Sequence, residues 1–149
     1  MYAIACRLAA AIAFVFVLSA PVAARECRPQ VLEAWVRMPP NRMPMMAGFG
    51  RIVNRCPTPA TIVSASSPSF GSVELHETRV VDGVSRMRPV PQLRLAPDGV
   101  AVLKPGGMHL MLMRPSAAMI QTGSKIVIEF ELAGGGTLVG EFEVRKPEL

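Results

Sequence analysis

The sequence predicts an all-β fold, a β-sandwich or barrel assembled from many short strands. Runs rich in β-branched and aromatic residues recur along the chain and are separated by turn-forming residues. Fourteen prolines and twelve glycines among 149 residues disfavour long helices. Two Asp-Gly pairs each stand between two such runs, and this dipeptide is a strong signal for a tight hairpin. Together these observations favour a sandwich or barrel.

The first three predicted strands are short and well separated. They cover residues 31–36, 47–53 and 60–65, and each is bounded by Pro, Asn or Ser. We therefore expect three strands joined by turns.

Three hairpins are predicted in the rest of the chain. Asp82-Gly83 would join strands 73–81 and 84–87, Asp98-Gly99 would join 93–95 and 100–103, and Gly134 to Gly136 would join 126–132 and 137–144. Asp-Gly and Gly-rich turns supply the positive φ angles that tight hairpins require. Each hairpin is expected to pair its two flanking strands.

The amino-terminal segment has the pattern of a secretory signal peptide. One positive charge within residues 1–7 precedes an apolar run at 8–18, and Val22-Ala23-Ala24 offers small residues for cleavage after Ala24. The apolar run is shorter than the roughly 20 residues that span a bilayer, which disfavours an uncleaved anchor. We therefore predict a signal peptide at 1–24, a single domain at 25–149, periplasmic residence and no integral membrane segment after cleavage.

Cys27 and Cys56 are the cysteines that would remain after cleavage, because Cys6 leaves with the signal peptide. A pair of cysteines in an oxidising compartment favours a disulfide bond, which would tie the start of the first strand to the end of the second. Free thiols with a copper-binding or redox role are the alternative. The residues before Cys27 do not match a lipidation motif, so lipidation there is not expected.

Charge and motif content disfavour two broad functions. The formal net charge of +5 is spread along the chain without a Lys/Arg run, so a nucleic-acid-binding stripe is not expected. The sequence contains no Gly-x-Ser-x-Gly, phosphate loop or HExxH motif. Asp82 and Asp98, its aspartates, both fall in predicted turns. We therefore predict that the protein is not an enzyme.

Both histidines of the chain occur together with methionines in one spaced pattern. It reads His76-x10-Met87-x21-His109-x-Met111. Imidazole and thioether groups form a soft, uncharged ligand set that favours Cu(I) over hard cations such as Mg²⁺ or Ca²⁺. A Cu(I) site at these four residues is therefore the leading hypothesis. Zinc is a weaker alternative, because zinc sites usually draw on Cys, His and carboxylates.

The predicted hairpins place the four ligands in two pairs. If Asp82-Gly83 is a two-residue loop, His76 faces Pro89, and Met87 lies one diagonal step away, roughly 7–8 Å, on the same face. A register slip of one residue would separate them. His109 and Met111 are two apart in a strand and point to one side. The preceding turn puts His109 near a strand end, where we expect an accessible site.

The chain contains ten methionines, and those outside the four-residue pattern have two interpretations. Met38, Met108, Met113 and Met119 are expected to fill gaps in the core, because methionine adapts to irregular packing. Residues 43–46, Met-Pro-Met-Met, form a methionine-dense segment that would either cover the open end of the sandwich or shield a bound copper ion.

The four-ligand pattern resembles that of the periplasmic copper chaperones of the PCu(A)C type, His-x10-Met-x21-His-x-Met. Residues 105–113, PGGMHLMLM, and 46–54, MAGFGRIVN, are similar to further signatures of that family. The resemblance covers nearly the whole predicted mature chain.

This resemblance implies a cupredoxin-like Greek-key β-sandwich that binds one Cu(I) at an exposed site and transfers it. In the family the acceptor is linked to assembly of the binuclear copper centre of cytochrome c oxidase, alongside Sco-type proteins. The alternative is a secreted β-sandwich interaction module without a metal, in which the histidines and methionines only pack.

Overall fold

The computed structural model describes residues 27–41, 43–116 and 120–147, and their regular secondary structure is entirely β-strand. The predicted signal peptide at 1–24 lies outside these residues. Within them no helix is long and apolar enough to cross a membrane. The strands are β1 Gln30–Arg37, β2 Met45–Val53, β3 Ala60–Ser66, β4 Phe70–Val81, β5 Val84–Pro89, β6 Leu93–Leu95, β7 Val100–Leu103, β8 Met108–Pro115, β9 Lys125–Leu132 and β10 Thr137–Arg145.

Seven strands form a ring of paired neighbours in the order β4, β8, β2, β1, β10, β9 and β3. A single pair, Ala65 with Val73, returns from β3 to β4 and closes the ring. β5 extends the sheet beyond β4, β6 pairs with β3, and β7 pairs with β2 next to the part of that strand that contacts β8. β1 and β10 are parallel, whereas the other pairs are antiparallel.

The core lies inside this ring. β9 and β10 alternate strictly between buried and exposed residues, so that Ile128, Phe130 and Phe142 point inward. Leu110 and Leu112 of β8 are fully buried from the opposite side. Burial of each such side chain stabilises the fold by about 1.5–3 kcal/mol.

A bulge in β1 changes the side of the sheet on which its residues lie. Leu32 pairs with Arg51, but Trp35 pairs with Phe49, so β1 contains one residue more than β2 over this stretch. Glu33 accommodates the extra residue with a φ of 53°. Because of the bulge, Val36 enters the core and Trp35 lies on the outer face of the sheet beside Phe49.

The predicted disulfide is confirmed. Cys27, before β1, is bonded to Cys56, after β2, with the two Cα atoms 5.6 Å apart. Asn54 organises the same end of the molecule, because its fully buried side-chain amide donates to the carbonyl oxygens of Thr58 and Ala96. Its Oδ1 accepts a hydrogen bond from the backbone N–H of Cys56.

Two of the three predicted hairpins are confirmed. β4 and β5 pair through Val81 and Val84 across Asp82-Gly83, where both loop residues have positive φ. β9 and β10 pair from Glu131 with Thr137 across the glycine turn.

The hairpin predicted at Asp98-Gly99 is wrong. Asp98 does form a turn, with a φ of 55°, and Gly99 donates to the carbonyl of Ala96. The strands on either side do not pair with each other, because β6 pairs with β3 and β7 pairs with β2. The turn carries the chain from one side of the closed sheet to the other.

Candidate metal centre

The two histidines face each other on neighbouring strands. His76 of β4 and His109 of β8 are direct cross-strand partners, and their ring centroids are 6.3 Å apart. A metal–nitrogen bond of about 2 Å places an imidazole centroid roughly 3 Å from the ion, so two imidazoles that share an ion have centroids up to about 6 Å apart. The observed separation is close to this limit.

The two methionines of the pattern flank the histidine pair. Thr78 faces Met87 and His76 faces Pro89, so Met87 is the diagonal neighbour of His76 across β4 and β5, as predicted. Met111 lies two residues beyond His109 on the same side of β8. Met87 is 54% exposed, whereas Met111 is half-buried. The four side chains therefore belong to one outer face of the sheet.

His109 is held by its own strand. Its Nδ1 lies 2.9 Å from the carbonyl oxygen of Gly107, and because a carbonyl only accepts, Nδ1 carries the proton and donates. The Nε2 atom of the neutral ring then has a free lone pair. This is the arrangement in which a histidine binds a metal, since a hydrogen bond at one nitrogen fixes the tautomer at the other.

His76 has the opposite tautomer preference. Its Nε2 lies 3.0 Å from Oε2 of Glu74, two residues earlier on the same face of β4. With Nε2–H donating to this carboxylate, Nδ1 keeps a lone pair. Nδ1 is buried and has no hydrogen-bond partner among the described residues. A buried polar atom without a partner is costly in a folded protein, so this atom has the features of a ligand atom.

The donor set does not suit a hard or thiolate-preferring ion. The described residues contain no group of three or more His, Cys, Asp or Glu side chains that could hold a metal. Cys27 and Cys56 are bonded to each other. Two imidazoles with nearby thioethers are the soft donors that this face offers.

Aromatic side chains border the centre on the side of β2. Phe49 is buried, with its ring centroid 6.5 Å from that of His109 and 4.7 Å from that of Trp35. The guanidinium of Arg37 lies over both rings, 5.0 Å from the centroid of Phe49. Phe49 thus packs beside His109, and Trp35 packs against the far side of Phe49.

His109 lies near a strand end as predicted, but its own side chain is not accessible. His109 is close to the start of β8, but β8 lies between β4 and β2, and the residue is only 6% exposed. The rings of Phe49 and His76 cover it from both neighbouring strands. A turn before a strand indicates a strand end, but it does not indicate a sheet edge.

Sequence reasoning also misplaced one methionine and missed one site residue. Met38 and Met108 pack against the core as expected, and Met119 lies outside the described residues. Met113 does not, because it lies on the outer face opposite Met45. Glu74 was missed, although its position two residues before His76 in a predicted strand places both side chains on one face.

Charge is concentrated on the other side of the β4–β5 hairpin. Glu77 forms ion pairs with Arg79 at 2.9 Å and with Arg88 at 3.0 Å. These hydrogen bonds, first from Arg79 and then from Arg88, hold the pKa of the Glu77 carboxyl below its ordinary value of 4.5. The hairpin thus has one side with Met87 and an opposite side with these charged residues.

Comparison with known sequences gives a family and one curated relative. Residues 30–144 match the model of the LpqE-like family, described as "Putative lipoprotein LpqE-like". The chain is also 34% identical over 109 residues to "Putative lipoprotein Lxx21020" of Leifsonia xyli subsp. xyli (strain CTCB07). That match covers 72% of this chain and 64% of the relative, so the chain spans somewhat less than two thirds of the relative's length.

Solved structures share the fold. A copper-bound PCuAC domain from PmoF2 superimposes with a TM-score of 0.64 at 20% identity, covering 80% of this chain and 93% of that domain. Apo-DR1885 from Deinococcus radiodurans gives 0.63 at 23%, covering 98% and 97% of the two chains. Its Cu(I) form gives 0.59 at 26%, covering 77% and 78%. These similarities confirm the predicted cupredoxin-like, all-β fold.

Proposed function

The chain belongs to the LpqE-like family, and on that premise we propose that it is a copper chaperone. In this proposal it binds one Cu(I) ion through His76, Met87, His109 and Met111 and passes the ion to an acceptor protein. The ion is cargo, so no catalytic turnover is involved.

One observation carries the proposal: two histidines that face each other each use one ring nitrogen in a hydrogen bond and keep the other free. Glu74 engages Nε2 of His76, and the carbonyl of Gly107 engages Nδ1 of His109. The free Nδ1 of His76 is buried and has no hydrogen-bond partner in the described part of the chain. A metal ion that accepts both lone pairs would satisfy that atom.

The thioethers favour copper in its monovalent state. Met111 follows His109 on one side of β8, and Met87 is diagonal to His76. Sulfur and imidazole ligands without charge suit a soft monovalent ion better than they suit Zn²⁺ or Mg²⁺. Solved structures of the same fold include a PCuAC domain described as copper-bound and a Cu(I) form of DR1885, which supports copper as the cargo.

The exposure of Met87 supports transfer to another protein. At 54% exposure it is the most accessible of the four ligands, so an incoming thiolate can replace it first without opening the core. In our proposal the acceptor is the cytochrome c oxidase subunit that carries the binuclear copper centre, or a Sco-type protein. The transfer is a ligand exchange in which copper stays monovalent.

We place this activity in the periplasm, after removal of the signal peptide proposed at 1–24, with residues 25–149 as the copper-binding domain. The lipoprotein description of the family and of the curated relative supports export. It does not support lipidation at Cys27, whose sulfur is bonded to Cys56.

The test is an anaerobic Cu(I) titration of the purified protein against a competing chromophoric chelator. A His109→Asn/Met111→Leu variant is compared with the wild type. Met108→Leu is the matched control, because this methionine is on the same strand but packs against the core. We expect tight binding by the wild type and the control, with a loss of more than roughly 100-fold in the double variant, beyond the 10–100-fold typical of a lost hydrogen-bond partner to a ligand.

Equal curves for all three proteins would refute the proposed site. Failure of the wild type to compete with the chelator would refute copper binding. In that case an interaction module without a metal would explain the fold better.

A further inference from the structure

The outer face that carries the histidines continues along β8 toward its carboxyl end, where further thioethers occur. We propose that Met43, Met45 and Met113 form a second Cu(I) site, adjacent to the first. The choice of Cu(I) rests on the proposed function, whereas the cluster itself rests on the placement of these side chains.

Strand register puts Met45 and Met113 next to each other. They are direct cross-strand partners between β2 and β8, and Ala47 faces Met111 one step further along. Opposite residues in antiparallel strands have Cβ atoms about 4.5–5.5 Å apart, so two flexible thioethers can meet at one ion. Met111 is the diagonal neighbour of Met45, which places the second site directly beside the first.

The neighbouring residues confirm which side of the sheet is involved. Met46 and Leu112 alternate with Met45 and Met113 along the two strands, and both are buried in the core. The methionine segment 43–46, predicted to cover the open end of the sandwich or to shield the copper ion, therefore has side chains on both faces of the sheet. Met46 fills the core, and Met45 lies on the outer face with the metal centre.

Exposure distinguishes this cluster from core packing. Met43 is 47% exposed and Met45 is 39% exposed, and Met113 is half-buried without joining the core. Methionine usually fills irregular gaps in a protein core, and thioethers that face solvent do not have that role. A soft ligand function accounts for their position.

Backbone pairing extends to the start of the methionine segment. The backbone N–H of Arg114 donates to the carbonyl oxygen of Pro44 at 2.8 Å, which continues the β2–β8 ladder beyond Met45. Met43 is therefore attached next to the end of β8, close in the chain to Met45. Met43 thus lies next to the strand end at which Met45 and Met113 pair.

The nearest cation on this face of β1 is directed elsewhere. Arg37 pairs with Ala47, but its guanidinium lies over the rings of Trp35 and Phe49. Those rings lie on the side of Ala47 away from Met45. Arg37 therefore does not direct its charge at the methionine cluster.

The arrangement gives copper a stepwise route into the histidine centre. Met111 is two residues from Met113 and two residues from His109 on the same face of β8. An ion bound by the outer thioethers can exchange one of them for Met111 and then acquire the imidazoles. No electron transfer is needed, because every ligand is neutral and copper remains Cu(I).

The test is an anaerobic Cu(I) titration of the purified protein labelled with ¹³C at the methionine methyl groups and followed by NMR. We expect the first equivalent to shift the signals of Met87 and Met111. A second equivalent should shift those of Met43, Met45 and Met113. A Met45→Leu/Met113→Leu variant should bind one equivalent, and Met38→Leu, which removes a core-packed thioether, should still bind two. Leucine replaces methionine with little change of volume, so the fold is retained.

Saturation of the wild type at one equivalent without a shift of the Met43, Met45 and Met113 signals, or a second equivalent that persists in the double variant, would overturn the second site. The two proposals are distinguishable in the same spectra. If only Met43, Met45 and Met113 respond, the thioether site stands and the histidine centre fails. If only Met87 and Met111 respond, the reverse holds.

Discussion

His109 and His76 face each other across adjacent strands, but their surroundings differ. His109 is almost fully buried, donates to a backbone carbonyl, and lies on a strand with neighbours on both sides. His76 donates to the side chain of Glu74, and its strand is followed by β5, whose residues are all exposed. One half of the candidate centre is therefore set by the backbone and the core. The other depends on side chains and a hairpin.

This difference suggests a division of roles between the two halves. Backbone hydrogen bonds within a packed sheet open only when the fold opens, whereas exposed hairpins open locally at low cost. We therefore expect β8 to fix the position of the ion and the β4–β5 hairpin to admit and release it.

The largest expected effect tests whether the two halves differ in stability. Leu112→Ala, within the core side of β8, should lower the free energy of unfolding by about 2–5 kcal/mol, because it leaves a cavity. Val84→Ala, on the exposed hairpin, should change it by less than about 0.5 kcal/mol. Urea denaturation of both variants measures the two changes in the free energy of unfolding. Similar losses would mean that the hairpin is as firmly packed as β8.

The second expected effect concerns the ligands themselves. If the proposed site is right, His109→Asn should weaken Cu(I) binding by more than roughly 100-fold. Met87→Leu should weaken it by about 10-fold and speed release to a thiol acceptor, because Met87 is the most exposed of the proposed ligands. Chelator competition gives the affinities, and stopped-flow transfer to a thiol chelator gives the rates. A larger loss at Met87 than at His109 would reverse the assignment of the fixed and movable halves.

Glu74 gives a smaller, more specific test. Glu74→Gln removes the charge that holds Nε2–H of His76, so Cu(I) affinity should fall by about 10-fold, the lower end for a hydrogen-bond partner of a ligand. The ¹⁵N shifts of the His76 ring should show a mixture of tautomers, while those of His109 stay unchanged. Movement of both histidines would show that the halves are not independent.

The smallest expected effect is a pH dependence of the hairpin. Arg79 and Arg88 lower the pKa of Glu77 in the folded protein. The ion pairs of this carboxylate therefore stabilise the hairpin fully at pH values above 4.5, its ordinary pKa. The stabilisation is lost as the pH falls through the lowered pKa. Amide exchange in β4 and β5 should therefore be faster in Glu77→Gln than in the wild type near neutral pH. In strong acid the two should converge, and a constant difference would contradict this.

Local signals in the sequence predicted the local parts of the site. The two-residue loop at Asp82-Gly83 fixes the register of β4 against β5, so the relation of His76 to Met87 followed from the turn alone. Alternation along β8 likewise placed His109 and Met111 together. Both inferences needed only residues close in sequence.

Contacts between distant strands could not be predicted in this way. The pairing of β4 with β8, which sets His76 opposite His109, depends on how the whole sheet closes. The same limit explains the error at Asp98-Gly99, where the turn is real but its flanking strands find partners elsewhere. A turn signal specifies a change of direction and does not specify a neighbour.

The extra residue in β1 lets that strand lose one residue without changing the side on which its other residues lie. Deletion of Glu33 would leave one residue on each strand between the cross-strand pairs that flank the bulge, so a regular ladder would replace the bulge. Trp35 would stay on the outer face beside Phe49, and Val36 would stay in the core. Substitutions at Glu33 should also be tolerated, because its side chain is exposed. A shortened β1 without Glu33 should therefore fold with the same residues facing inward.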